Sequence, residues 1–432
     1  MKKVKAILKL LGPGLITGAS DDDPSGITTY SQAGAKFGLQ TLWTALITFP
    51  LMASIQEMCA RIGIVTSTGL TTTLKTHYPR WLLYLMMFFT LPAIILNIGA
   101  DIAGMGAVSN MMIPGISATY FNIVFTVLMT VVIIWLPYNK IVAILKYLCL
   151  CLMLYVAVPF FTKPDWWKVL KHTFVPSMPL SKDFFEVLVA ILGTTISPYL
   201  FFWQVTMEAE DVKHTKRLIL ARRKLFKSKG DDPYEREHSF MSRLIRKMQL
   251  DVNIGMMLSN VVMFFIILAT GTAIYSAGGK NINSVQDAAT ALRPVVGKAS
   301  YLLFTVGVLG TGFLAVPVLT GSLSYIVAET FGWKASLDKK YWQAKKFYLV
   351  IVVSMVAALS INYVGITAIE ALYYTAILYG LTSPVLIGLI LHIGNNKKIM
   401  KRHTNSKLSN AMGILALLLM LVSAIALIYY LF

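Results

Sequence analysis

Ser20-Asp21-Asp22-Asp23-Pro24-Ser25-Gly26 decides how the rest of the chain is read. Three carboxylates, a proline and a glycine interrupt an apolar run that extends from Ile7 to Leu15 on one side and from Ile27 to Leu51 on the other. In a soluble domain such a stretch would be a surface turn. Here the flanks are long enough to carry it into a membrane, where an acidic side chain is costly and marks a functional site by default.

The composition agrees. The 432 residues are 56% hydrophobic and only 14% charged, against about 25% charged in soluble domains. Mean hydropathy is +0.66. This is an all-α, polytopic membrane protein. The net charge of +19 would suggest nucleic acid in a soluble chain, but the basic residues sit in a few short loops, and positive-inside topology accounts for them. Cys59, Cys149 and Cys151 lie in apolar spans, which suggests neither a disulfide framework nor a thiolate metal site. No cleavable signal peptide is evident after Met1-Lys2-Lys3.

Hydropathy predicts eleven transmembrane helices at roughly 7–34, 39–62, 81–107, 116–136, 141–162, 184–209, 251–275, 299–328, 346–363, 367–392 and 409–431, each near the ~20 residues that cross hydrocarbon. Lysine and arginine crowd the N-terminus (Lys2, Lys3, Lys5, Lys9), the segment from Lys213 to Lys247, the loop from Lys334 to Lys346 and the loop from Lys397 to Lys407. A cytoplasmic N-terminus and an external C-terminus put all four groups inside. Trp166 and Trp167, in the outer loop with Lys163, Lys168 and Lys171, read as interfacial anchors.

The sixth span carries a second interruption, Gly193-Thr194-Thr195-Ile196-Ser197-Pro198-Tyr199. Proline removes a backbone donor and breaks the helix. Spans one and six are five apart, so they run in opposite directions. Two broken helices at matching places in two five-helix halves are the mark of an inverted-repeat transporter. The organisation expected is a first repeat over 1–165, an outer loop and span six over 166–210, a basic cytoplasmic loop over 211–250, the rest of the second repeat over 251–393, and an added eleventh span over 394–432.

Each break frees backbone carbonyls that must be satisfied in lipid, and a cation can do this. Asp23 adds charge; Ser20, Ser25, Thr194 and Ser197 add hydroxyls. These are hard oxygen donors, suited to Mg²⁺, Ca²⁺ and Mn²⁺, and neither break holds His or Cys. Asp21 and Asp22 are read as lining a solvated entrance, as capping a half-helix, or as touching the ion.

Gly12-Pro13-Gly14, Asp23-Pro24-Ser25-Gly26, Gln32-Ala33-Gly34-Ala35-Lys36-Phe37-Gly38 and Ala60-Arg61-Ile62-Gly63-Ile64-Val65-Thr66 together resemble the opening of an Nramp-family divalent-metal transporter, and Gly193 to Tyr199 aligns with that family's sixth span. The resemblance covers spans one to ten. It implies the inverted-repeat fold of amino-acid/Na⁺ symporters and transport of Mn²⁺ and Fe²⁺ with protons. The departures carry the finer reading. The family motif Asp-Pro-Gly-Asn keeps its Asp as Asp23, but Gly26 stands where the Asn ligand belongs. Ser197 replaces the Met whose sulfur touches the metal, Tyr199 replaces the following His, and Thr194 matches a residue whose carbonyl binds metal. Asp101 matches the first of an acidic pair on span three, with Gly104 in place of the second. Thr375 lies near a polar metal-contacting position on span ten.

Loss of the thioether removes the soft ligand, and loss of the Asn widens the site. Mg²⁺ sheds water reluctantly, so a wide oxygen-lined site suits it through retained waters. The pattern is similar to the Nramp-related magnesium transporter branch. With Tyr199 for His, no side chain in the breaks has an unperturbed pKa near neutrality, and the ninth span lacks the intramembrane Arg residues that form a proton route in relatives. The expectation is an uncoupled Mg²⁺ transporter, also passing Mn²⁺. It needs no cofactor besides the transported ion and binds no nucleic acid. It sits in the plasma membrane as a monomer and is not an enzyme. A divalent cation gains about 4.6 kcal/mol from ~100 mV. The alternatives are a proton-coupled Mn²⁺/Fe²⁺ importer and a Na⁺-coupled amino-acid transporter. Asp101 is read either as a structural acid or as part of the ion path. Glu57 and Arg61 are expected to pair at i,i+4, the Met runs to pack, and Tyr373, Tyr374 and Tyr379 either to pack or to line the path.

Overall fold

Prolines open the helices that carry the breaks. A proline at a first helical position loses no hydrogen bond and has the right φ already. In the structure, a computed structural model, Pro13, Pro24, Pro198 and Pro233 each begin a helix. The described residues are 12–136, 156, 159, 164–225, 233–275, 278, 282, 285–290, 300–363, 365 and 367–431. In chain order they form α1 (Pro13–Asp21), α2 (Pro24–Phe37), α3 (Leu42–Thr66), α4 (Leu70–His77), α5 (Arg80–Met112), α6 (Ala118–Trp135), α7 (Trp166–Phe174), α8 (Lys182–Thr195), α9 (Pro198–Leu225), α10 (Pro233–Ala273), α11 (Val285–Thr290), α12 (Ser300–Phe331), α13 (Lys345–Ile361), α14 (Ala368–Asn395), α15 (Lys397–Met400) and α16 (Lys407–Leu431).

Eight stretches among the described residues are long and apolar enough to cross a membrane, the longest running from Pro24 to Thr66 through the turn between α2 and α3. The fifth span expected at 141–162 lies almost wholly outside the described residues. The polar segment 211–250, read above as a loop, is largely helix: α9 continues to Leu225 and α10 starts at Pro233. Its Lys, Arg, Leu and Glu residues are good helix formers, so both helices run on past the apolar segment. α7 carries Trp166 and Trp167 at 44% and 77% exposure, the placement an interfacial anchor needs.

Small residues let the half-helices approach the bundle closely, as membrane packing requires. Gly18 on α1 lies against the Gly255 carbonyl on α10, so that a Cβ there would collide with backbone. Gly14 meets Val252 one turn earlier. Backbone cannot yield as a flexible side chain would. Gly18→Val is therefore expected to lower the melting temperature of the detergent-solubilised protein by several degrees, an overpacking cost of about 1–3 kcal/mol. A melting curve unchanged by Gly18→Val would count against this packing.

The Glu57–Arg61 pair forms on α3 as expected. Gln249 of α10 donates to Glu57 Oε1 at 2.8 Å, and Arg61 also reaches the Thr404 carbonyl at 3.4 Å. The pair ties three elements together at one end of the bundle.

Candidate metal site

At the first break two half-helices meet end to end. α1 stops at Asp21, Asp22 leaves helical geometry (φ −85°, ψ 49°) and Asp23 is extended (φ −68°, ψ 172°). Asp23 caps α2. Its Oδ1 accepts from the Gly26 amide at 2.7 Å, and its Oδ2 accepts from Nδ2 of Asn97 on α5 at 3.0 Å. Aspartate ahead of a first-turn proline is a favoured N-cap, so the Asp23-Pro24 signature has a structural role whatever else it does. Capping leaves lone pairs over, because each carboxylate oxygen accepts twice.

The second break is built differently. α8 ends at Thr195, Ile196 is non-helical (φ −114°, ψ 61°) and α9 starts at Pro198. Ser197 Oγ lies 2.5 Å from the Thr194 carbonyl and 3.1 Å from the Gly193 carbonyl. The Ile196 carbonyl accepts from Ser383 of α14 at 2.8 Å. Hydroxyl groups thus satisfy part of the backbone that the break exposes.

The fold brings the two breaks together. Tyr199 donates its hydroxyl to the Ser20 carbonyl at 2.9 Å. The hydroxyls of Tyr30 and Thr195 lie 3.1 Å apart. A Cβ built on Gly26 would stand 3.4 Å from Thr194 Oγ1 and 3.1 Å from the Asp21 carbonyl. Gly26 therefore faces the second break, and a side chain there would point between the breaks. Ser25 Oγ reaches the Leu372 carbonyl at 3.5 Å. Ser20 and Thr375 bond back to carbonyls of their own helices, Ile16 and Ala371, at 2.7 Å each. Asp23, Thr194 and Ser197 are each only 2% exposed, and Ser20, Ser25, Tyr199, Asp101 and Thr375 are at 1% or below. The whole region is closed to water in this conformation.

Asp101 on α5 is fully buried. Neither oxygen completes a hydrogen bond; the Ser25 amide is the donor acting on it and Asp23 the neighbouring charge. Gly104, three residues further on, has its Cα turned to the first break, with a built Cβ 3.7 Å from Pro24 Cβ. Asp21 and Asp22 share one hydroxyl, that of Ser259 on α10, at 3.0 and 3.2 Å. They are 1% and 0% exposed, so the solvated-entrance reading does not hold in this conformation. Tyr379 packs its ring 5.7 Å from that of Tyr199, whereas Tyr374 is 55% exposed.

Three contributors escape the sequence reading. Asn97 stands one turn before Asp101, and that i,i+4 spacing on α5 puts both on one face. Ser259 is a small hydroxyl in an apolar helix and gives no signal. Asp251 accepts from the Gly12 and Gly14 amides at 2.8 and 2.7 Å and so caps α1 from α10. Asn97→Leu removes the donor that orients Asp23 and should weaken ion affinity about 10–100-fold, the usual effect of an outer-shell partner. Concentration-dependent uptake measures it, and an unchanged half-saturation would remove Asn97 from the site.

A family profile described as natural resistance-associated macrophage protein-like, Nramp, matches residues 14–430. The chain belongs to the Nramp family. A curated relative named divalent metal cation transporter MntH, from Caldanaerobacter subterraneus subsp. tengcongensis, is 26% identical over 419 residues, covering 96% of this chain and 91% of the relative. A second MntH, from Chromohalobacter salexigens, is 22% identical and covers 93% and 86%. Among solved structures, the Eremococcus coleocola manganese transporter in complex with an aromatic bis-isothiourea substituted compound superposes with a TM-score of 0.73 at 19% identity, covering 98% of this chain and 87% of that one. MhsT in complex with L-phenylalanine gives 0.53 at 12% identity, covering 97% of each chain. This Nramp-family protein has the all-helical, inverted-repeat transporter fold that the two breaks imply.

Proposed function

We propose that this Nramp-family protein carries divalent cations across the membrane at the paired breaks. Mg²⁺ is the main cargo, Mn²⁺ passes as well, and no proton is coupled. The observation that carries the reading is the composition of the gap. Around the Gly26 Cα stand the Asp21 carbonyl, Thr194 Oγ1 and the edge of the Tyr30 ring, with Asp23 capping the same turn and Ser197 Oγ on the Thr194 carbonyl. Where a thioether would select soft ions, Ser197 offers a hydroxyl. Among the described residues no three His, Cys, Asp or Glu side chains converge as a metal chelate. Carbonyls, hydroxyls and retained water would make up the shell, which suits Mg²⁺. Tyr199 is tied to the Ser20 carbonyl as a phenol, and Gly104 presents no carboxylate to the first break. Both points favour transport without protons. The basic segments support a cytoplasmic N-terminus, the plasma membrane fits uptake, and a single copy contains both breaks.

One observation favours the proton-coupled alternative. Asp101 is buried beside Asp23 without a completed hydrogen bond, and an acid so placed could carry a proton.

Competition tests the cargo. In proteoliposomes loaded with a Mg²⁺-sensitive dye, excess Mn²⁺ should slow Mg²⁺ influx and Cd²⁺ should compete least. Cd²⁺ as the strongest competitor would contradict a hard-ion site.

A further inference from the structure

The basic end of the bundle holds a cavity that the transport path does not use. It has a volume of about 680 Å³ and lies between the end of α6 and the turn joining α12 to α13. Its chemistry is two-sided. Lys339 and Lys340 stand at its rim beside Trp342, with Lys340 Nζ 5.9 Å from the Trp342 ring centre. Trp135 lines it from α6. Ile134 and Val352 give it apolar walls on α6 and α13, and α13 continues outward as an exposed apolar face through Leu349, Val353 and Val356.

The rim is built. Tyr348 donates its hydroxyl to the Lys339 carbonyl at 2.6 Å, and Tyr325 accepts from the Leu337 amide at 2.9 Å. The backbone that presents the lysines is thereby anchored to α12 and α13. Asp338 is the one acid among the described lining residues, and its charge acts on Tyr348 and Glu210. Trp135 and Trp342 are nevertheless 80% and 68% exposed. Two large exposed indoles flanking a cationic rim need a partner that is apolar at one end and anionic at the other. Indoles settle at headgroup depth, and basic pockets between helices hold acidic headgroups.

We propose that this cavity binds one anionic phospholipid. Its phosphate lies between Lys339 and Lys340, its glycerol region between Trp135 and Trp342, and its chains run along Ile134 and Val352. The charge of the rim selects the anionic headgroup. The continuous apolar face of α13 selects a lipid over a soluble phosphate.

Native mass spectrometry of the delipidated full-length protein tests this, with phosphatidylglycerol and phosphatidylcholine titrated separately. The wild type should retain one phosphatidylglycerol and little phosphatidylcholine. The Lys339→Ala/Lys340→Ala variant should lose about thirtyfold in phosphatidylglycerol affinity, the combined effect of two headgroup-facing lysines. Lys397→Ala/Lys398→Ala, at the same end of the bundle, should not. Equal retention of both lipids by the wild type would overturn the proposal and leave a general interfacial belt; this arm needs no variant to fold. Displacement of the lipid by millimolar glycerol 1-phosphate would overturn it in favour of a soluble anion. Unaltered retention in Lys339→Ala/Lys340→Ala would overturn it as well.

Discussion

Asp23→Asn should fold and insert like the wild type yet lose Mg²⁺ and Mn²⁺ uptake by about a hundredfold or more, beyond the 10–100-fold range of residues that only orient a ligand. The substitution separates the two things Asp23 does. As a cap it accepts from the Gly26 amide at 2.7 Å, and asparagine caps helices about as well as aspartate. The amide oxygen can keep that bond. What disappears is the negative charge, together with the Oδ2 acceptor of Asn97 Nδ2. Asp23→Ala removes both functions and should also destabilise the protein by about 1 kcal/mol, the usual cost of a lost N-cap. Melting curves and dye-reported influx on the three proteins separate the effects. If Asp23→Asn transported normally, Asp23 would be a structural cap and the cargo would be held elsewhere.

The second large effect concerns selectivity. Gly26→Asn with Ser197→Met puts an amide between the breaks and a thioether on the second of them. A Cβ at Gly26 meets the Asp21 carbonyl at 3.1 Å and Thr194 Oγ1 and the Tyr30 ring at 3.4 Å, so neighbours must yield by a few tenths of an ångström. Ser197→Met also releases the Thr194 and Gly193 carbonyls from its hydroxyl. The narrowed, softer site should reject a water-carrying Mg²⁺ and favour thiophilic ions. Mg²⁺ influx should fall about tenfold, which corresponds to about 1.4 kcal/mol of lost binding, and Cd²⁺ should become the stronger competitor. Measuring each ion's competition in the single and double variants shows whether the two positions couple, as residues facing one gap should. Selectivity unchanged in the double variant would mean that Gly26 and Ser197 do not set it.

How much of this was legible in the sequence differs by element. The membrane class and both breaks were visible because apolar runs and buried prolines leave strong local marks. Asp23, Thr194, Ser197 and Tyr199 were singled out because they sit at those breaks. That α9 runs on to Leu225 and α10 begins at Pro233 was not foreseen, since a polar composition marks exposure to water without saying whether the backbone is helical. Asn97 could have been found from its i,i+4 spacing to Asp101 on α5. Ser259 and Asp251 could not, because their partners are more than two hundred positions away and only the packing of α1 on α10 makes them neighbours. The capping role of Asp23 was also invisible: a cap and a ligand read alike as an Asp before a proline.

The most direct test of the account is Mg²⁺ influx into proteoliposomes under an inside-negative potential, with an internal Mg²⁺ dye and an internal pH dye read together and Asp23→Asn as the silent control. Transport as argued here gives a Mg²⁺ signal that grows with the potential and no pH change, absent in the variant. Mn²⁺ uptake with acidification and no Mg²⁺ signal would contradict it. Gly26, Ser197 and Tyr199 would then be tolerated replacements, and Asp101 would become the first residue to test as the proton carrier.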